Sequence, residues 1–437
     1  MEPLRQYIDL YNGSAVAFDV DTPTQLTALR QRAINTLQRG VPTGLADVLS
    51  PDYGINVNRH RPHQDAVNSL RCGVHNVSGA LYYTAADIML PSPVVRPLEG
   101  VTVTTLREAA TEHRQWLSRL ASIADVDDTA VALNTLLAQD GILVHVDEGV
   151  NVAKPVQLVS LGFATMPLLA ASRLLVLVER GAGLQLLCCD HSDGSGVANL
   201  ALRVTEVFAA ENSTVELYDL EETDSTDSRV SRTIVNQAAG SNVLVDTITL
   251  SGGFTDNSIT VHVNGERAET TLLGMAIESE NQRVNNRTLI AHHSPRCMSN
   301  EMYKYVLNDS SNGSFVGRIL VDEGCPCVEA YQGNRNLSAS PSARMHSEPQ
   351  LEIYTDDVRC SHGSATGQLD EQALFYMRSR GIPEDEARTM LMQAFVADVI
   401  DGVRLESLRD RLRLLVERRF HGELADCAAC RGGKSPN

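Results

Sequence analysis

The sequence predicts a mainly β protein carrying a helical segment at each end, and three observations predict it. From Asp140 onward, apolar and polar residues alternate with period two over some two hundred residues, the signature of strands with two distinct faces. The alternating stretches are short and are punctuated by turn signals at Gly252-Gly253, Asn264-Gly265, Asn312-Gly313 and Gly324. On either side of this block the apolar spacing is helical. The expected division is therefore a mostly helical segment 1–130, a β domain 131–366 and a helical domain 367–437. A chain of 437 residues, 43% of them hydrophobic, has room for about three domains and a real core.

In the first segment, TTLREAATEHRQWLSRLASIADV (104–126) places Leu106, Ala109, Ala110, His113, Leu117 and Leu120 near helical spacing, with Thr105 available as cap. The preceding stretch SPDYGINVNRHRPHQDAV is turn-rich. Its His60 and His63 read as solvated loop histidines rather than metal ligands. In the β block, Ile142, Val144 and Val146 alternate strictly, Asp147-Glu148-Gly149 turns the chain, and Val150 and Val152 resume the pattern. VLVDTITL, SITVHV and VGRILV are further strands. Such a train fits a sandwich, a barrel or a β-helix; no strict hexapeptide-type repeat selects among them. After Gly367 the period changes. Asp370 is a helix N-cap and Gly381 a stop, and Pro383 starts a second helix whose first turn holds Glu384, Asp385 and Glu386. Met390, Leu391, Ala394, Phe395 and Ile400 give that helix an apolar stripe, and Leu405, Leu408, Leu412 and Leu415 give one to a third helix.

Composition narrows the function. A net charge of −18 argues against binding a phosphate backbone, so no nucleic-acid partner is expected. The N-terminus lacks a basic region followed by an apolar run, and Met166–Val178 is short and broken by Ser172 and Arg173, so neither export nor membrane insertion is expected. Nine cysteines without a framework spacing favour a reducing, cytoplasmic setting. No GxxxxGK[ST] loop is present and no GxGxxG follows a strand, which removes nucleotide hydrolysis and dinucleotide chemistry from this chain.

Cys360 and His362, two apart in DDVRCSHGSATGQLDE, share one face of an extended strand. Thiolate and imidazole suit zinc or iron–sulfur chemistry, but two ligands hold no cluster. The same pair could serve a thiol enzyme as nucleophile and base, or could simply pack in a structural β-helix binding protein. Against the enzyme, no orienting third group or oxyanion hole is visible. Cys188 and Cys189, being adjacent, read as one inward and one outward structural residue. His293 and Cys297 have a spacing that metal sites use, but stacked interior positions explain them as well. Gln332, Asn334 and Asn336 suggest amide ladders between stacked coils. Cys427 and Cys430 are half a zinc site, which Cys325 and Cys327 could complete only if the fold brought them near.

The run PQLEIYTDDVRCSHGSATGQLDEQALFYMRSRGI (349–382), with PDYGINVNR (51–59), ALNTLLAQDG (132–141) and EAYQGNRNLSAS (329–340), resembles the SufB/SufD family of scaffold subunits in iron–sulfur cluster assembly. Where SufB-type members carry an EHEA-type sequence, this chain has CSHG, so it looks like the SufD type. The resemblance implies a right-handed parallel β-helix for the central block, and a non-catalytic subunit pairing with SufB and binding the SufC ATPase. It implies no stably bound cofactor alone, a transient iron–sulfur cluster at the interface with SufB, and a possible homodimer when isolated. His362 is then the expected ligand and Cys360 the second choice. The C-terminal helices, with Phe375, Met390, Phe395, Leu408 and Leu412, are the expected docking element for SufC. Cys325-Pro326-Cys327 and the tail cysteines depart from the family pattern.

Overall fold

The computed structural model describes residues 2–19, 22–40, 48–49, 53–55, 80–85, 87–90, 98–162, 165–192 and 195–422. His60, His63, Cys427 and Cys430 lie outside them. The chain opens with helices α1 (Glu2–Asp19), α2 (Thr24–Thr27) and α3 (Arg30–Gln38), and then strands β1 (Ala80–Ala85), β2 (Ile88–Leu90) and β3 (Val101–Thr105). Helix α4 (Leu106–Glu112), a 3-10 turn at Trp116–Arg119 and helix α5 (Thr129–Leu137) follow.

The helix expected across 104–126 is thus interrupted. Thr105 and Glu108 form a reciprocal capping box at its start, but His113 leaves helical geometry at φ −136°. Trp116 then stacks between His113 and His145, ring centroids 4.2 and 3.9 Å away. That sandwich gives the indole more buried contact than a continued surface helix would.

From Ile142 the chain winds two strands per coil. The pairs are β4 (Ile142–Val146) with β5 (Val156–Gly162), β6 (Leu168–Val178) with β7 (Gly183–Ser192), β8 (Asn199–Ala209) with β9 (Thr214–Glu222), and β10 (Ser228–Gln237) with β11 (Asn242–Ser251). They continue as β12 (Phe254–Val263) with β13 (Glu269–Glu278), β14 (Arg283–His292) with β15 (Met298–Leu307), β16 (Asn312–Val321) with β17 (Val328–Ser338), and β18 (Arg344–Ile353) with β19 (Val358–Gly367). Even-numbered strands from β4 to β18 stack in parallel as one sheet and odd-numbered strands from β5 to β19 as the other. This is a parallel β-helix, and it decides among the three architectures the alternation left open. Val150 and Val152 fall in the turn, and their strand begins at Val156.

The coil length explains why no strict repeat is readable. Ser228 sits beside Phe254, Phe254 beside Arg283, Arg283 beside Asn312 and Asn312 beside Arg344, so partners lie 26 to 32 residues apart. The first turns stack instead. Gly149, Gly181, Asn212 and Gly240 all adopt positive φ, and each N–H donates to a carbonyl of the next coil at 2.9 Å.

Both outer faces are covered over most of the length. Helices α1, α3 and α5 pack on the first sheet through Leu169, Leu200, Leu202, Val230 and Phe254. Arg30 is buried there, paired with Asp19 and donating to the carbonyl of Ala138 at 2.9 Å. Helices α6 (Glu371–Ser379), α7 (Glu384–Gly402) and α8 (Glu406–Phe420) follow β19, and α7 and α8 fold back over the second sheet, where Val396, Ile400, Leu408, Leu412 and Leu415 meet Leu244, Ile248, Leu273 and Met275. Asp370 caps α6 through the N–H groups of Gln372 and Ala373, and Gly381 ends it at φ +91°. Inside the coils, Val144, Val176, Val207, Val235, Val261 and Ile290 form a continuous apolar column. Beside that column, at other positions of the same strands, lies a buried ion cluster in which Arg203 meets Asp190 at 3.0 Å and Asp219 at 2.5 Å, and Arg229 meets Asp190, Asp219 and Glu221. Burial would raise Asp219, but the two guanidiniums hold it below the usual carboxylate range; burial pushes Glu221 up to about 7. No described helix is long and apolar enough to cross a membrane.

Candidate functional site

The last coil is bare. Strand β18 ends one sheet and β19 the other, each paired on one side only among the described residues. The C-terminal helices stop short of it: nearly every residue of β19 is exposed. Cys360 and His362 lie on this edge strand, in register with Ala330 and Gln332 of β17.

The two residues share a face but not an environment. Cys360 points into the end of the core against Ile319, Val321, Cys325, Val328 and Ala330. Burial pushes its thiol above the usual range, against a backbone hydrogen bond with Ala330 that works to lower it. His362 is exposed. Residues two apart on a strand can bond directly, as Asn336 and Asn334 do at 2.7 Å, but no hydrogen bond joins Cys360 to His362 among the described residues. A thiol held protonated and an imidazole not bonded to it do not make a dyad.

A cleft of about 420 Å³ opens beside His362, lined by Glu301, Gln332, Asn334, Ser361 and Ser364 among others. This end of the interior is polar. Gln332 Nε2 donates to Glu301 Oε2 at 2.6 Å, and Asn336 Nδ2 donates to Asn334 Oδ1 at 2.7 Å and to Thr366 Oγ1 at 3.2 Å. The amides of the run 331–336 do link stacked coils, but to a carboxylate and a hydroxyl; the amide-to-amide bond here lies within one strand, not between coils. Burial pushes Glu301 up to about 7, opposed by hydrogen bonds from Thr288 and Gln332. Glu301 carries no sequence signal of its own; only its inward position in a stack makes it notable.

Among the described residues no three His, Cys, Asp or Glu side chains converge as a metal site. The donor set at the edge is therefore an exposed imidazole and a half-buried sulfur, which fits part of a cluster's ligands and not all of them. Cys325 is buried in the core while Cys327, at φ +59°, is exposed and donates its thiol hydrogen to Asp357 Oδ2 at 3.2 Å. They face different surroundings and are not a chelating pair. His293 binds Asp322 at 2.6 Å and His262 at 3.2 Å on the surface, whereas Cys297 is buried and donates to the carbonyl of Gly265 at 3.2 Å, so those two do not meet as ligands. Cys188 faces the interior and Cys189 the C-terminal helices, both buried.

The expected docking residues divide. Phe375 and Met390 are exposed, at 72% and 44%. Leu408 and Leu412 are fully buried against the second sheet, and Phe395 is partly buried with the Lys304 ammonium 4.9 Å from its ring centroid. The apolar stripe of α8 needs no partner to hide it, because the β-helix does.

Comparison with known proteins joins the fold to a process. Residues 164–395 match the family model described as SUF system FeS cluster assembly, SufBD core domain, and residues 1–158 match the SufBD protein N-terminal region. An iron–sulfur cluster assembly SufBD family protein of Synechocystis is 28% identical over 322 residues, 71% of this chain and 70% of its own length. The iron–sulfur cluster assembly protein SufD of Bacillus subtilis is 25% identical over 335 residues, 74% of each chain. SufD of Escherichia coli is 31% identical over 173 residues, 40% of this chain and 41% of its own.

Proposed function

We propose that this chain, which belongs to the SufBD family of the SUF iron–sulfur cluster assembly system, is a non-catalytic scaffold subunit that pairs with SufB through its last coil and carries the SufC ATPase on its C-terminal helices. The observation that carries the proposal is the bare last coil: two strand edges of ten residues each, with an exposed His362 and an incomplete ligand set on one of them. An edge that its own chain leaves uncovered is a template for another strand. A ligand set that stops at one or two residues is completed by whatever pairs there. The nascent cluster is cargo, held at the junction and passed on. His362 supplies an imidazole lone pair to it, and Cys360, turned inward, supports the strand.

SufC docking is assigned to the exposed part of the helical end, Phe375 and Tyr376 on α6 and Met390 on α7. A thiol enzyme is the weaker reading, because the Cys360 thiol is pushed up by burial and no hydrogen bond joins it to His362 among the described residues.

The test is co-expression with SufB and SufC from the same genome. The purified complex is weighed, and iron and acid-labile sulfide are measured per complex for wild type and His362→Ala. The expected result is an assembled complex with a large loss of iron in the variant. Equal iron would make His362 an ordinary edge residue, and dissociation of the variant would make it an interface contact instead.

A further inference from the structure

The geometry points to a task for Gln332: we propose that its side-chain carbonyl accepts a hydrogen bond from His362 Nδ1–H and so positions that imidazole with Nε2 turned off the sheet edge. The consequence for metal binding rests on the reading of His362 as a ligand; the placement of the ring does not.

Four observations support it. Gln332 is buried, 4% exposed, on the inward face of β17, it is the register partner of His362, and both line the same cleft. Its amide cannot turn freely. Nε2 donates to Glu301 Oε2 at 2.6 Å on the preceding coil, and a Cβ at Gly317 of the facing sheet would come within 2.4 Å of that nitrogen. With Nε2 committed to Glu301, Oε1 is left buried and without a hydrogen-bond partner among the described residues. A buried carbonyl without a donor is costly, so a donor within reach is the stable arrangement.

The neighbouring rungs show that the reach exists. Asn336 Nδ2 donates to Thr366 Oγ1 at 3.2 Å, between register partners of the same two strands. Asn334 Oδ1 accepts from Ser347 Oγ at 2.7 Å, and that hydroxyl pairs with Ser364 Oγ, the register partner of Asn334, at 2.7 Å. Each interior amide of β17 that follows Gln332 is thus linked to β19 at its own level. Gln332 is longer by a methylene, and its register partner His362 carries a side-chain N–H.

A neutral imidazole has one N–H and one lone pair. Holding the proton on Nδ1 leaves the Nε2 lone pair for a metal, and metal-binding histidines commonly have their second nitrogen tied in this way. Gln332 is a positioning residue; it touches no cargo.

The tautomer is the readout, because a merely structural role would not move it. In the full chain labelled with ¹⁵N-histidine, the His362 signal is assigned by its loss in His362→Gln. The expected wild-type state is the Nδ1–H tautomer, against the Nε2–H form that imidazole favours in water. Gln332→Met, which fills the space without an acceptor, is expected to return His362 to Nε2–H. Gln332→Glu, isosteric and still an acceptor, is expected to keep Nδ1–H. In the assembled complex, Gln332→Met is expected to weaken iron retention against a chelator about tenfold. A wild-type Nε2–H tautomer, or one that Gln332→Met leaves unchanged, overturns the proposal. If the methionine variant does not fold, the glutamate variant decides, and an Nε2–H tautomer there also overturns it. A tautomer that moves as expected while His362→Ala retains its iron keeps the positioning and removes the ligand role; lost iron with an unmoved tautomer does the reverse.

Discussion

The two ends of the β-helix are finished in opposite ways. At the first end an antiparallel strand terminates each sheet, β3 against β4 and β2 against β1, and Trp116 is clamped over β4 between two imidazoles. The interior there is apolar, with Val144, Val146 and Val156 fully buried. At the last end β18 and β19 are parallel to their single neighbours and exposed, and the interior behind them holds Glu301, Gln332, Asn334 and Asn336. Stacked coils require caps, and an uncapped edge pairs with whatever strand arrives. The difference teaches that this chain caps one end of its β-helix with its own strands and leaves the other open, the end that the proposed function assigns to SufB.

The largest effect should come from charging the open edge. Gly363 and Ala365 are exposed, and nothing lies within 4 Å of a Cβ placed at Gly363. Gly363→Lys with Ala365→Lys is expected to leave the folded chain intact by circular dichroism and to cut capture of SufB by about tenfold or more. Glu99→Lys, beside β3 at the capped end, should leave capture unchanged. Equal loss from both ends would abolish the distinction.

The next effect separates what the helical end buries from what it displays. Leu412→Ala removes a fully buried side chain and should cost about 2–5 kcal/mol of stability in denaturant unfolding. Phe375→Ala, at an exposed site, should change stability by less than about 0.5 kcal/mol while weakening SufC capture. A stability loss at Phe375 matching that at Leu412 would move Phe375 from the displayed surface to the core.

A pH-dependent effect is expected at Asp246, which is buried under the C-terminal helices with neither oxygen hydrogen-bonded among the described residues. Burial pushes its carboxyl up from 3.8 to about 8. The folded chain therefore holds this proton up to about pH 8, while the unfolded chain releases it near 3.8. Stability from this group is full below the lower value, declines as pH rises between the two, and levels off above the upper one. Asp246→Asn removes the decline. Relative to wild type it should be stabilised by on the order of 5 kcal/mol near pH 8, shrinking toward zero near pH 4. A difference in melting that does not grow with pH would show that the carboxyl is solvated.

The smallest effect is optical. Trp116 is the sole tryptophan and stacks on His145, whose pKa is lowered by burial against the raising influence of Glu179. The ring is neutral at pH 7. In His113→Phe, which removes the other stacked imidazole, tryptophan emission should fall only below the ordinary imidazole range, as His145 gains its proton, and should not respond to SufB. A response to SufB would place the partner at the capped end.

Several of these features are legible without coordinates. The caps at Thr105 and Asp370 and the stop at Gly381 are local, because a side chain two or three residues away satisfies each. Cys188 and Cys189 divide between faces because successive strand residues must. Other features are out of reach. The helix across 104–126 breaks at His113 because a histidine on β4 competes for Trp116. Leu408 and Leu412 look like a partner-seeking stripe until the second sheet is seen beneath them. Gln332 is one polar residue among several until its register with Glu301 and His362 is known.

The sequence by itself determined that this chain is mainly β between two helical ends, and it placed Cys360 and His362 on one face of one strand, because period and capping act over a few residues. Only the tertiary structure decided which strands are neighbours, because partners 26 to 32 residues apart with uneven turns leave no repeat to read. It alone decided that β19 is an edge, that Cys360 turns inward while His362 stays exposed, and that a buried glutamate and glutamine stand behind that histidine. Those facts depend on where the coil stops stacking and the helices stop covering it, and burial of that kind is a sum over distant residues.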